Sequence, residues 1–411
     1  MKRPAIAGCL SFLFLGLVAV AASQRPPETG KRGDASPQRR GPDVRRPDGT
    51  FDLAMMWSRG QAVGKGPVRF THSPMRLEDI EILVPYGLTV GAHVTPIDHQ
   101  YYYPKPVPRG GEHFDVRAPA DGFIVTIGHR VRFEGSSEAQ RDYDDYQLVI
   151  EHSSTFYTNY DLLTKLDKAI LDKLGSSVRD KFAKRVGGSP HQVRIPVKAG
   201  QVIGKVGGRS LDFGVVNSEV RLKGFLTPAM YGHYAWRIHT VDPFDYFDEP
   251  LKSQLLALNP RKAEPRGGKI DYDIDGRLVG NWFKEGTGGY DGNRDPRGYW
   301  MGHLALVYHH IDPSKIIVSI GDFDGRPRQF MVKGNGPDPA EVTRDSGLVK
   351  YELIQPNINS SGREMSVTNP QMFGTVLVEL LEGRRLRVEV FVGRLAKEVQ
   401  GFSDTAAIYE R

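Results

Sequence analysis

DVRAPADGFIVTIG, residues 115–128, and VKAGQVIG, residues 197–204, are two versions of one pattern: a β-rich run, a tight turn of small residues and Gly, then a second apolar run. Gly and Asp permit the backbone conformations of a sharp reversal, and the flanking Val and Ile favour extended chain. The same texture continues outward. Ile80–Val84, Asp115–Ala118, Gly122–Ile127, Tyr146–Glu151, Val193–Pro196, Gln201–Val206 and Leu211–Val216 are short, β-branched or alternating, and bounded by turn residues. Strands of this kind predict an antiparallel barrel or sandwich over residues 51–260.

One interval breaks the pattern. Leu163, Leu166, Ile170, Leu171, Leu174, Val178 and Phe182 recur at spacings of three and four, which predicts a helical insertion over about 162–186. Gly175-Ser176-Ser177 is placed to divide it into two helices. The Pro-, Gly- and charge-rich stretch RKAEPRGGK, after Pro260, reads as a joint. Beyond it, strand-like runs continue, with Asp324-Gly325 and Glu382-Gly383 at hairpin positions. The fold class is therefore mainly β: a β-barrel or sandwich with a helical insertion, followed by a second all-β barrel or sandwich over 261–411.

The N-terminus reads as a leader. Lys2 and Arg3 precede an apolar run to Ala22, then Ser23 and a polar stretch, the pattern of a cleaved signal peptide over residues 1–23. An uncleaved anchor helix is the alternative, and Ile6-Ala7-Gly8-Cys9 is a weaker match to a lipid-acylation site. Cys9 is the sole cysteine and lies in this segment, so the expected mature chain has no thiol chemistry, Cys-ligated zinc or disulfide. Residues 24–50 carry seven basic and four acidic residues with almost no apolar ones and read as a basic, disordered linker. Of the formal charge of +6, leader and linker account for all but about +1. The basic character is local and gives no support to a nucleic-acid partner. A secreted or periplasmic envelope protein with no transmembrane span in its mature form is expected.

DVRAPADGFIVTIG, YQLVIEHSSTFYTNYDLL (146–163) and VKAGQVIGKVGG with RSLDFGV (197–215) together resemble, in order and spacing, the lysostaphin/LytM family of zinc metallopeptidases. The resemblance spans about a third of the chain and implies a duplicated hybrid motif β-barrel that acts on cell-wall peptide cross-links. It implies zinc held by a His and an Asp of a first motif and by the last His of an H-x-H, with a water in the fourth position. GAHVTPIDHQYYY (91–103) aligns His93 and Asp98 with the first motif, His99 being an alternative ligand. At the H-x-H stand Ser210-Leu211-Asp212, and Leu162 replaces a further catalytic histidine. The metal set implied here is His93, Asp98 and Asp212, with Asp161 as the candidate general base. Loss of three histidines favours a catalytically degenerate member, with no cofactor, over a divergent zinc hydrolase, because general-base assistance is worth about 10²–10⁴-fold.

Tyr101, Tyr102 and Tyr103, with Ser210, are the candidate ligand-binding residues, since aromatic faces stack on sugars and peptide planes; the alternative for the tyrosines is a strand edge closing the barrel. His93 has the alternative of a surface or packed imidazole. The expected partners are cell-wall peptide or glycan, or an envelope protein. Asp271-Tyr272-Asp273-Ile274-Asp275-Gly276 begins like a calcium loop, but Trp282 stands at the twelfth position and a turn on Asp275-Gly276 is expected instead. Gly280–Gly298 is a Gly- and aromatic-rich loop with no phosphate-binding ending. His303, His309 and His310 are expected at the surface, without metal.

Overall fold

The computed structural model describes residues 45–107, 113–132, 143–184, 188–207, 209–292, 295, 297–355, 357–358, 365–366 and 371–411. The expected leader and most of the expected linker lie outside the described residues. The first half contains β1 (Ile80–Val84), β2 (Gln100–Pro104), β3 (Phe114–Arg117), β4 (Gly122–Arg132) and β5 (Tyr143–Ser153). It continues with β6 (Phe156–Leu163), β7 (Lys165–Leu166), β8 (His191–Val197), β9 (Val202–Val206) and β10 (Leu211–Asn217). A seven-stranded antiparallel sheet has the order β1-β2-β10-β6-β5-β4-β8, and β3-β9-β7 form a small second sheet. Between the sheets pack Ile124, Ile150, Leu163, Ile203, Phe213 and Val215, none with measurable exposure. Strand β10 runs through the interior with all seven residues buried, so its face toward solvent is covered as well.

The two turn units quoted above are brought side by side. The Ala118 N–H donates to the Gln201 carbonyl at 3.0 Å and the Gly200 N–H to the Ala118 carbonyl at 2.9 Å. Asp121 accepts from the Ala199 N–H at 2.9 Å and pairs with Lys198 at 2.7 Å. Their likeness in sequence therefore corresponds to a reciprocal contact in space.

The helical insertion is shorter than the apolar periodicity implies. Asp161–Leu163 complete β6 and Lys165–Leu166 pair with β9, so helix begins only at α2 (Lys168–Leu171), α1 being the turn Leu53–Trp57. Gly175 separates α2 from α3 (Ser176–Ala183), where the sequence places the break. Ile170, Leu174 and Phe182 bury against the sheet, the last on Tyr146 and His129. A stripe shared by a strand end and two helices carries no sign of its two periods, which is why the insertion reads as longer than it is.

The second half is a closed eight-stranded barrel, β11-β12-β13-β14-β15-β18-β19-β20. Its strands are β11 (Gly280–Lys284), β12 (His303–Tyr308), β13 (Ile316–Phe323), β14 (Arg326–Val332), β15 (Val349–Ile354), β18 (Met372–Leu381), β19 (Arg385–Val392) and β20 (Ala407–Glu410). A two-residue ribbon, β16 (Asn357–Ile358) with β17 (Met365–Ser366), stands apart. Trp282, Leu306, Val318, Phe330, Tyr351 and Val376 fill the barrel. Asp324 and Gly325, at φ of 50° and 77°, make the β13–β14 turn as expected, whereas the β18–β19 turn uses Gly383 and Arg384. The chain is thus mainly β, with antiparallel sheets and a closed barrel.

The joint after Pro260 is packed. Between α4 (Leu251–Leu258) and the barrel, Arg261 is buried and donates to the carbonyls of Pro265 at 2.8 Å and His310 at 2.7 Å. The three aspartates of the calcium-like run do not converge: Asp271 pairs with Lys269, Asp273 accepts from the Asn281 N–H, and Asp275 pairs with Arg384. His303, His309 and His310, expected at the surface, are buried. His303 Nε2 lies 2.7 Å from the Tyr290 carbonyl and His309 Nδ1 accepts from the Asp312 N–H at 3.1 Å, so backbone groups engage one nitrogen of each of these two rings inside the fold. No helix among the described residues is long and apolar enough to cross a membrane.

Candidate functional site

Register brings the distant candidates together. Asp212 on β10 lies opposite Tyr101 on β2 and, on its other side, opposite Asp161 on β6. The segment before β2 folds back on itself: Val90 and His93 exchange two backbone hydrogen bonds, and Ile97 donates to the Leu88 carbonyl at 3.0 Å. Asp98 and His99 follow at the strand entrance. A fourth element arrives from further along the chain, the irregular 3₁₀ segment Pro228–His239, turned at Gly232 (φ 35°), which carries Trp236 and Arg237.

These elements build a buried charge cluster. Asp98 takes Trp236 Nε1 on Oδ2 at 2.9 Å and Arg237 Nη1 on Oδ1 at 3.1 Å. His99 stands between two carboxylates, its Nδ1 3.3 Å from Asp98 and its Nε2 3.2 Å from Asp212. The second contact has ion-pair distance without the alignment of a hydrogen bond. Arg237 also donates to the Tyr290 hydroxyl at 3.2 Å and to the Pro96 carbonyl, and its guanidinium lies over the Tyr290 ring. Burial alone would keep His99 neutral, but Asp212 and then Asp98 raise its pKa to about 10. Burial likewise opposes ionisation of Asp98, yet Arg237 and His99 hold its carboxyl well below the usual range. Two cations and two carboxylates thus neutralise one another where all but His99, which is partly exposed, are buried.

A histidine with a raised pKa lends stability that is fully present below its unfolded pKa, about 6.5, and lost as pH rises through the folded value. Conformational stability should therefore fall between about pH 6.5 and about pH 10. Denaturation midpoints of the wild type and His99→Gln across this range test the point, and equal alkaline slopes in the two proteins would contradict it.

The implied zinc set does not fit this arrangement. Zinc requires nitrogen and oxygen ligands at about 2.0–2.2 Å around one point. Here the imidazole of His99 separates Asp98 from Asp212, and the Asp98 oxygens face an indole N–H and a guanidinium. His93 is exposed, with its ring centroid 6.1 Å from that of His99. Among the described residues no group of three His, Cys, Asp or Glu could hold a metal ion. In this arrangement Arg237, not a His93, Asp98, Asp212 metal centre, supplies the positive charge beside Asp98.

The other expected residues are placed as follows. Asp161 accepts from Arg130, from Gln147 Nε2 at 2.8 Å and from the Leu162 N–H at 2.8 Å. Burial raises its pKa to about 6 against the pull of Arg130. Leu162 takes a left-handed backbone (φ 67°), which costs an L-residue roughly 1–2 kcal/mol. Tyr102 points into the core with no exposure and is out of reach of a ligand. Tyr101 is buried edge-to-face on His99, and Tyr103 packs in the same small cluster. Ser210 is buried. The tyrosine run is an internal strand between β1 and β10, so a run of aromatics beside a Pro-rich loop signals strand packing here.

Arg237 and Trp236 carry no signal in the sequence, because the contact joins positions 138 residues or more apart through an irregular segment. The barrel contributes as well. Gln329 on β14 donates to the Gly91 carbonyl and accepts from the Gly91 N–H, both at 3.0 Å, and so holds the tip of the loop that carries Asp98.

No protein-family model and no curated protein matches the chain. Among solved structures it has a distant likeness to the antimicrobial peptidase lysostaphin from Staphylococcus simulans, at 12% identity and a TM-score of 0.23, covering 75% of this chain and 100% of that one. It has a similar likeness to an NMR solution structure of lysostaphin, at 14% identity and a TM-score of 0.21, over 64% and 93% of the two chains. Agreement at this level does not superpose two folds, and no residue role is drawn from it.

Proposed function

We propose that the chain is an exported, non-catalytic binding protein of the cell envelope, derived from a peptidase-like barrel and recognising cell-wall peptide, glycan or an envelope partner. One observation carries the non-catalytic part: Asp98, the carboxylate that a metal would need, is buried against Arg237 at 3.1 Å and Trp236 at 2.9 Å. A guanidinium is always charged and cannot polarise a water as a metal does. Asp161, the candidate base, already accepts from three donors. The envelope part is supported by the leader-like N-terminus and by the ordered motifs of the sequence. In this reading the ancestral cation position is filled by a side chain, and the scaffold is kept for its surface.

Metal analysis of the purified full chain, paired with a cell-wall peptide hydrolysis assay, tests this. The expected result is zinc far below one equivalent and no cleavage. One bound zinc per chain with hydrolysis that disappears in Asp98→Ala would reverse the reading in favour of a divergent metallopeptidase.

A further inference from the structure

Of the candidate ligand residues read from the sequence, Tyr101, Tyr102 and Ser210 are buried and Tyr103 partly so. Four other large aromatics beside the site are also partly exposed, and they lie together. Tyr234 and Trp236 come from the 3₁₀ segment, Tyr299 and Trp300 from the stretch before β12, so the group straddles the contact between the sheet domain and the barrel. Their rings form a continuous series: Trp236 to Tyr234 at 4.9 Å, Tyr234 to Tyr299 at 6.1 Å and nearly parallel, and Tyr299 to Trp300 at 5.4 Å between centroids. Trp57 extends it inward, 6.0 Å from Trp236, and Tyr290 lies beneath, 4.8 Å from Tyr234.

The series is held rigidly. The Trp236 indole is fixed by its N–H on Asp98. Trp300 lies against Gly298, at φ 148°, where an added Cβ would come within 2.3 Å of the ring; only glycine lets the indole sit this close to the chain. Rigid aromatics bind at small entropic cost, and their clustering at a surface marks an interaction site.

We infer that this junction surface is a glycan-stacking platform, taking an uncharged or N-acetylated hexose chain. The inference rests on the binding reading above and moves its surface from the buried tyrosine run to the domain junction. A pyranose ring presents C–H groups on its face and hydroxyls on its rim, matching aromatic ring faces edged by Tyr hydroxyls. The charges at the rim point the same way. Arg297 is already paired with Asp295 at 2.6 Å and Asp322 at 3.4 Å, and Asp291 is exposed, so these described residues together carry net negative charge and do not favour an anionic polymer.

Three of the four tryptophans, Trp57, Trp236 and Trp300, belong to this series, while Trp282 is sealed in the barrel, so intrinsic fluorescence reports on the platform. The full chain is titrated with a β-1,4-linked N-acetylglucosamine hexasaccharide and, separately, with a cell-wall stem tetrapeptide. The hexasaccharide is expected to change the emission saturably. Trp300→Ala and Tyr234→Ala should each weaken binding about tenfold, as loss of a stacked ring of about 1.4 kcal/mol implies. Trp300→Phe, which keeps an aromatic face and guards against a folding artefact, should retain most of the affinity. Absence of saccharide binding in the wild type, or equal affinity in all variants, overturns the platform; binding of the peptide alone assigns the surface to peptide and overturns it too. Zinc content and hydrolysis decide the non-catalytic reading separately, so a metal-free, inactive protein that ignores the saccharide would sink this inference alone.

Discussion

Arg237→Ala is expected to destabilise the protein by about 3–5 kcal/mol, the cost of leaving a buried charge without its partner. The side chain is almost fully buried and joins four groups: the Asp98 carboxylate, the Pro96 carbonyl, and the hydroxyl and ring of Tyr290. Alanine restores none of these contacts and leaves Asp98 and Asp212 to share the single charge of His99. Since a domain is stable by only about 5–15 kcal/mol, the loss is a large fraction of the total. Arg237→Lys should recover part of it, because an ammonium keeps the charge but lacks the planar fork that reaches Asp98, Pro96 and Tyr290 together. Urea denaturation of the three proteins measures the effect. A double-mutant cycle with Asp98→Asn isolates the pair, whose combined loss should be smaller than the sum of the single losses. A change under about 1 kcal/mol for Arg237→Ala would mean a surface-like ion pair and would refute the buried cluster.

The reason Arg237 escapes a reading of the sequence separates what was legible from what was not. The sequence places strand β1, Ile80–Val84, to the residue, because its β-branched run and bounding turns are local properties. The paired turn units showed their relation in sequence because their contact repeats one local chemistry twice. For Tyr101, Tyr102 and Tyr103 the sequence offers a strand edge only as the alternative to a ligand-stacking run, since three tyrosines in succession show no alternation and their packing depends on β1 and β10. At the site, Asp98, His99 and Asp212 were named from motif positions and are indeed neighbours. What binds them together was hidden, because an irregular 3₁₀ segment has no period and an isolated arginine has no motif. The motif analogy therefore located the carboxylates and carried no sign of the Arg237 guanidinium that pairs with Asp98.

Residues 45–260 expressed alone are expected not to fold stably, although the sequence suggests a domain ending there. A cluster of Tyr86, Phe225, Tyr231, Ile238, Ile270, Phe283 and Tyr290 is buried across that boundary. Cutting after 260 removes Ile270, Phe283 and Tyr290 and uncovers the other four. Four side chains of this size lose about 6–12 kcal/mol of burial, at about 1.5–3 kcal/mol each, comparable with the whole stability of a domain. The cut also takes Tyr290 from Arg237 and Gln329 from Gly91, so the charge cluster loses its support as its cover goes. Residues 276–411 should behave differently, because their barrel closes on itself, with β20 paired to β11, around a core of its own. Near-ultraviolet circular dichroism and limited proteolysis of the two fragments give the test. The expected outcome is a protected, cooperatively melting barrel and a readily digested 45–260 fragment without fixed aromatic signals. A 45–260 fragment that melts cooperatively near the full chain's temperature would instead make the barrel an appended module, and the junction would then be a contact between two self-sufficient folds.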